Sequence, residues 1–200
     1  AFLFAAYGVG SMLVALVLPR LLDQQSPRTV MLCGGGVLAV TLPLGVLEPG
    51  YAAAIGLWAI MGIGISLIMT PSGLLLRRSS HAEDRPALFA AQFALSHACW
   101  LLAYPTAGWL GPVIGLPNTF VVLAGGVVIG CVIAWMVWPS HDPDVIEHEH
   151  DGITHAHGDP DEEHHADGRI EWQPDGSHHH RPIRHAHAFV IDDHHPSWPS

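Results

Sequence analysis

The sequence predicts an all-α membrane protein that carries a polar tail. Three observations support this. Residues 1–139 hold five apolar runs, each near the ~20 residues a helix needs to cross a bilayer. Short breaks rich in charge, Pro or Gly separate the runs. Polarity then changes abruptly. Residues 1–139 carry five Arg and four acids, a net of +1, whereas residues 140–200 carry three Arg and fourteen acids, a net of −11. Fourteen of the 16 His also lie after residue 140, so average composition describes neither part. Residues 1–139 are therefore expected to form a transmembrane bundle, and 140–200 a disordered His/Asp/Glu-rich tail. A single water-soluble domain is excluded, because the first part has too few polar side chains to cover a wet surface. Nucleic-acid binding is excluded too, since no basic patch is present to neutralise phosphates.

The spans are expected at 1–19, 30–47, 51–76, 87–110 and 119–138. Asp23 to Arg28 divides the first two. Glu48-Pro49-Gly50 divides the second pair, and Arg77 to Pro86 the third. Gly111-Pro112 to Pro117-Asn118 divides the last. One such run suits a buried soluble helix, but five in series with short links do not. The chain starts at Ala1 inside an apolar run with no charged leader, so it reads as a fragment whose upstream part is missing. Arg20 and Arg28 mark the first break and Arg77, Arg78 and Arg85 the third, while the other two breaks have none. By the positive-inside rule the Arg-bearing breaks and the tail are cytoplasmic, and Ala1 is on the outer side.

Small residues recur within the spans. Gly62, Ser66 and Thr70 are spaced four apart, and Gly126 and Gly130 form a GxxxG pair. Such stripes let helix backbones approach closely where no hydrophobic drive exists. Pro43, Pro71 and Pro105 interrupt helices, as membrane bundles tolerate. Cys33, Cys99 and Cys131 stand alone in apolar runs, with neither disulfide nor metal spacing, and read as small core residues.

The fourth span is distinctive. Gln92, Ser96, Trp100 and Tyr104 form a row at i, i+4 spacing, with His97 beside it. His97 is the only ionisable side chain other than Cys well inside a span. An intramembrane ionisable group is a functional candidate, and the competing role is a hydrogen bond between helices. These five residues are the candidate substrate pathway. No Asp or Glu lies inside a span, so a coupling carboxylate would belong to the missing part.

The tail has too few apolar residues to offset its ordering entropy. Its histidines are grouped: His148 and His150, His155 and His157, His164-His165, His178-His179-His180, His185 and His187, His194-His195. Acids such as Glu147, Glu149, Glu162 and Asp193 are interleaved. Imidazole suits Zn, Ni and Co, and His-rich tracts read as metal binding. With no Cys in the tail, this is not a thiolate zinc site. A labile divalent metal (Ni, Co or Zn) is expected, with no tightly bound cofactor. Two other roles stay open: a solvating acidic tail, and a pH-sensitive tail whose formal charge swings from −11 towards +3 as fourteen imidazoles protonate.

Gly8-Val9-Gly10-Ser11, Pro19-Arg20-Leu21-Leu22-Asp23 and Arg28 resemble the C-terminal half of a major facilitator superfamily transporter. The loop is similar to the family signature Gly-x-x-x-Asp-Arg-x-Gly-Arg. It departs from it with Pro19 for the first Gly, Gln24 for the Arg, and one extra residue before Arg28. The resemblance, over residues 1–139, implies that the five spans are helices eight to twelve of a twelve-helix protein. It implies a substrate cavity between two halves that rock in alternating access, with Asp23 and Arg28 making gating contacts between helices. Arg20, Arg77 and Arg78 read equally well as topology-setting charges. The His-rich tail is similar to that of nickel-resistance exporters of this family. Its implied partners are the lipid bilayer, a transported solute or metal ion, and the missing N-terminal half, in a bacterial inner membrane. The alternatives are an exporter of drugs or organic solutes with a regulatory tail, and a membrane-anchored metal buffer without transport. An enzyme is not expected, because no nucleophile–base pair, phosphate loop or ordered metal site appears.

Overall fold

A computed structural model describes residues 1–140, five short strands between 145 and 188, and residues 190–191. Contacts divide the chain into two units, Ala1–Asp142 with Val190–Pro196, and Pro143–Phe189 with Ser197–Ser200.

The first unit holds five long helices: α1 Phe2–Gln24, α2 Pro27–Thr41, α3 Tyr51–Arg78, α4 Arg85–Ile114 and α5 Leu116–Val137. A 3-10 turn, Leu42–Leu47, prolongs α2, so that Pro27–Leu47 is also long and apolar enough to cross a bilayer. All five expected spans are present, with shifted ends. α1 runs through Pro19 and Arg20 to Gln24, leaving a two-residue link. There Ser26 caps α2: its Oγ accepts from the Thr29 amide at 3.2 Å, and Pro27 takes the first helical position. α4 continues past Pro112, so the expected break of eight residues contracts to Gly115, at φ 83°. Past that residue, Asn118 Nδ2 donates to the Ile114 carbonyl at 2.7 Å and Thr119 Oγ1 to the Gly115 carbonyl at 2.9 Å. The Asn118 bond serves the last carbonyl of α4, and the Gly115 carbonyl also accepts the Thr119 amide at 3.1 Å as the first bond of α5.

The packing runs on small residues. α1 and α3 lie side by side and parallel. A methyl group at Gly10 would overlap the Ala59 carbonyl, and one at Gly62 the Tyr7 carbonyl. Ser66 Oγ donates to the Ser11 carbonyl at 3.1 Å on the same seam. α2 approaches α3 from another side, antiparallel, where Gly34 faces Gly64. Val14, Leu18 and Val30 form the buried cluster among these three helices. α5 runs antiparallel to α2, with Cys131 against Gly35 and Phe120 against Gly45. The α1–α2 and α3–α4 junctions, which carry the Arg residues, thus share one end of the bundle with the C-terminus of α5.

Three expectations about packing are corrected. Thr70 is exposed, so the buried part of the α3 stripe ends at Ser66. A Cβ at Gly126 or Gly130 meets nothing within 4 Å, so this pair holds no helix among the described residues. Cys33 and Cys99 are exposed rather than core residues, and Cys131, which faces α2's Gly35, is half-buried. The outer face is apolar, with Leu16 71%, Leu101 75% and Val137 77% exposed. No residue of α4 is buried. A helix that is apolar all round and uncovered by protein suits lipid, not water.

Within the tail, the described residues are five short strands. β1 (Val145–His150) pairs antiparallel with β5 (Ile183–Ala188), and β2 (Thr154–His155), β4 (His178–His180) and β3 (Ile170–Trp172) form a second sheet in that order. The reason lies in local pattern. Val-Ile-Glu-His-Glu-His and Ile-Arg-His-Ala-His-Ala alternate with the two-residue period of a strand, which the overall composition masks.

Candidate functional site

The polar row on α4 divides into two arrangements. Gln92 and Ser96 face α3 and, with Met69, Ser72, Gly73, Phe89 and Phe93, line a cavity of ≈ 420 Å³. Gln92 Nε2 donates to Ser72 Oγ at 3.0 Å, and Ser72 Oγ donates to the Met69 carbonyl at 2.6 Å. The hydroxyl proton of Ser72 is thus committed, and Ser72 meets Gln92 as an acceptor. That leaves the Gln92 side-chain carbonyl as an acceptor for a guest. Ser96 Oγ donates to the Phe93 carbonyl at 2.8 Å and also keeps lone pairs for one. A strip of hydroxyl and amide between a thioether and two phenyl rings suits an apolar molecule with a hydrogen-bonding group.

His97, Trp100 and Tyr104 do not line this cavity. They continue an aromatic ladder from Phe93. The Phe93 and His97 ring centroids are 3.8 Å apart, His97 and Trp100 4.5 Å, and Trp100 and Tyr104 6.0 Å. His97 Nδ1 lies 2.8 Å from the Phe93 carbonyl. A carbonyl only accepts, so Nδ1 carries the proton and the Nε2 of a neutral ring is left as an acceptor or ligand. This bond lies within α4. Trp100 and Tyr104 are half or more exposed.

The two gating candidates do not meet. Asp23 is exposed, and among the described residues no ion pair joins it to Arg28. Arg28 Nη2 instead donates to the Trp135 carbonyl in the last turn of α5 at 2.9 Å. A cation there satisfies an open carbonyl and complements the helix dipole. Arg28 therefore ties α2 to α5, across 107 residues of sequence. At the same end, the Ile191 amide donates to the Arg78 carbonyl at 2.9 Å, and Ile191 is buried.

Sequence reasoning missed Ser72, Met69, Gly73 and Phe89. Ser72 follows Pro71, whose ring removes the amide that would bond Leu67, and such a helix interruption was a signal for a nearby polar site. It also missed a cavity of ≈ 360 Å³ at the end opposite the Arg residues, lined by Thr41, Gly45, Glu48, Trp58, Met61 and Phe120 among others. Glu48 stands there in the left-handed region at φ 45°.

Among the tail histidines, His148, His150, His155, His178, His179, His180, His185 and His187 lie in the strands. His157, His164, His165, His194 and His195 lie outside the described residues. Among the described residues of the helical bundle, no three His, Cys, Asp or Glu stand together as a metal site.

Five bilayer-length helices, apolar on the outside and joined through glycine and serine seams, define a polytopic α-helical membrane protein. The profile of the Major Facilitator Superfamily matches residues 1–186, and the chain belongs to that family. It is a transporter of the major facilitator type. No characterised protein and no solved structure matches the chain.

Proposed function

We propose that the protein works as an exporter by alternating access, with a cytoplasmic tail that captures or senses Ni, Co or Zn. The observation that carries the metal reading is the tail itself. Fourteen His in 61 residues, grouped in twos and threes among fourteen acids, concentrate imidazole donors and negative charge as divalent cations require. The orientation rests on Arg20, Arg28, Arg77, Arg78 and Arg85, which share one end of the bundle with the α5 C-terminus. In a bacterial cell that end faces the cytoplasm from the inner membrane, where the tail meets metal before export. The upstream half of the transporter completes the substrate cavity. Gln92, Ser96 and His97 are the residues we assign to the pathway, and Trp100 and Tyr104 to its aromatic edge.

The α3–α4 cavity favours a second reading. Its lining holds no carboxylate and no imidazole, and Met69, Phe89 and Phe93 suit an organic solute. In that case the tail regulates transport and does not deliver cargo. Deleting the gene separates the two. Sensitivity to Ni, Co or Zn salts supports metal export, and sensitivity confined to organic toxins supports the second reading. Unchanged tolerance of both removes the exporter.

A further inference from the structure

The cavity at the end of the bundle opposite the Arg residues holds an acid with no counter-ion. Glu48 lines it with Thr41, Gly45, Trp58, Met61 and Phe120, around a space of ≈ 360 Å³. The other three acids of residues 1–139, Asp23, Glu83 and Asp84, stand at the α1–α2 and α3–α4 junctions, at the far end. All five Arg of these residues stand at that end too, and His97 is near the middle of α4. Among the described residues the Glu48 side chain makes no ion pair and no hydrogen bond, not even with the open amides where α3 begins at Tyr51. Glu48 is exposed, so a cation reaches it directly from outside the bundle.

The chain sets this carboxylate in place against its local preference. Glu48 is held at φ 45°, ψ 56°, a left-handed conformation that disfavours any residue with a Cβ and that glycine adopts freely. Pro49 follows, and a proline steers the residue before it towards extended backbone. Strain of this kind concentrates at ligand sites. Gly45 fixes the arrangement. Its carbonyl accepts the Glu48 amide at 3.2 Å, and a Cβ on it would come within 3.0 Å of three atoms of the Phe120 ring. One glycine therefore positions both the acid and an aromatic wall. Trp58 is set by an edge-to-face contact with Phe4, with ring centroids 5.1 Å apart and planes at 78°.

These groups select the kind of cation. Mg and Ca take about six or more oxygens. The side chains of the wall offer one carboxylate and the Thr41 hydroxyl, whose proton is committed to the Val37 carbonyl at 2.6 Å. Zn takes imidazole or thiolate, and neither lines the cavity. Indole, phenyl and thioether around a single carboxylate suit an ammonium ion with apolar substituents, its charge on the acid and its methyl groups on the rings.

We propose that this cavity binds a small organic ammonium ion, with Glu48 as its counter-ion and Trp58 and Phe120 as its aromatic walls. Its volume lies near the lower end of ligand pockets, ~300–1,000 Å³, so the guest is of single-ring size. The site is separate from the α3–α4 cavity, and it depends neither on the tail nor on the direction of transport. A soluble amine and the amine headgroup of phosphatidylethanolamine share the required chemistry, and both are present where a helix end meets water and lipid.

The test is a saturation-transfer NMR titration of benzyltrimethylammonium chloride against the full chain in dodecyl maltoside micelles at pH 7.5, read at the N-methyl signal. The unaltered chain should bind the probe saturably. E48Q and W58L should each weaken binding about three- to tenfold, as loss of a partly exposed ion pair or cation–π contact does. E83Q, which removes an acid at the opposite end, should leave affinity unchanged. E48G guards against a misfolded variant: glycine relaxes the left-handed backbone, so this chain should melt no lower than the unaltered one and still lose affinity as E48Q does. Phosphatidylethanolamine added to the micelles separates the two sources, since competition with the probe assigns the site to the headgroup and undiminished binding assigns it to a soluble amine. No saturable binding by the unaltered chain, or an affinity that E48Q and E48G both leave unchanged, overturns the proposal.

Discussion

The α1–α3 seam gives the sharpest test of the bundle. Replacing Gly62 by Ala puts a carbon against the Tyr7 carbonyl group, with the carbonyl carbon at 2.9 Å and Cα at 3.1 Å. Carbon contacts relax near ~3.5–4.0 Å, so the helices must part by roughly 1 Å. The obstacle is backbone and cannot rotate away. Overpacking of this kind costs about 1–3 kcal/mol. Parting also stretches the Ser66–Ser11 bond from 3.1 Å beyond useful length, at about 0.6 kcal/mol. Alanine's better helix propensity returns about 1 kcal/mol. The net loss is about 1.5 kcal/mol. Gly126→Ala is the control: nothing lies within 4 Å of the new carbon, so the propensity gain of up to about 1 kcal/mol stands alone. The two variants should differ by about 2.5 kcal/mol, or about 5–10 °C in Tm for a chain of this size. Thermal unfolding in detergent, followed by helical circular dichroism, measures this. Equal melting temperatures would refute the seam.

Three further outcomes follow from the site. His97→Ala should lower transport about tenfold, or about 1.4 kcal/mol, with membrane insertion intact; unchanged transport leaves His97 as packing within α4. Arg28→Ala should destabilise the bundle by about 1–2 kcal/mol through loss of the Trp135 contact, whereas Arg20→Ala, at an exposed position, should change stability by less than about 0.5 kcal/mol. Metal bound to the tail requires neutral imidazoles with an ordinary pKa near ~6.5, so binding should be full at pH 7.5 and lost towards pH 5.5; affinity that persists at pH 5 in calorimetry would point to carboxylate ligands.

The helices were legible because each must satisfy its own backbone in lipid, which forces long apolar runs with polar punctuation. Helix ends were less so: Pro19 and Pro112 look like stops, yet α1 and α4 continue through them. The role of Gly62 was readable from its four-residue spacing to Ser66. That of Gly64 was not, because it depends on α2 approaching α3 from another side. At the site, spacing correctly put Gln92 and Ser96 on one face. It could not show that Ser72 completes the hydrogen bonding, or that Arg28 turns away from Asp23 to the end of α5, since both partners lie far along the chain. In the tail, composition was the signal read, and the two-residue alternation at 145–150 and 183–188, where the longest strands lie, went unused.

Energised transport by inverted inner-membrane vesicles tests the central claim most directly. Vesicles from cells expressing the full gene should accumulate Ni, Co or Zn when energised, and accumulation should fall when the tail histidines are replaced by Asn. Vesicles that accumulate no metal, or do so equally with and without those histidines, would contradict the account.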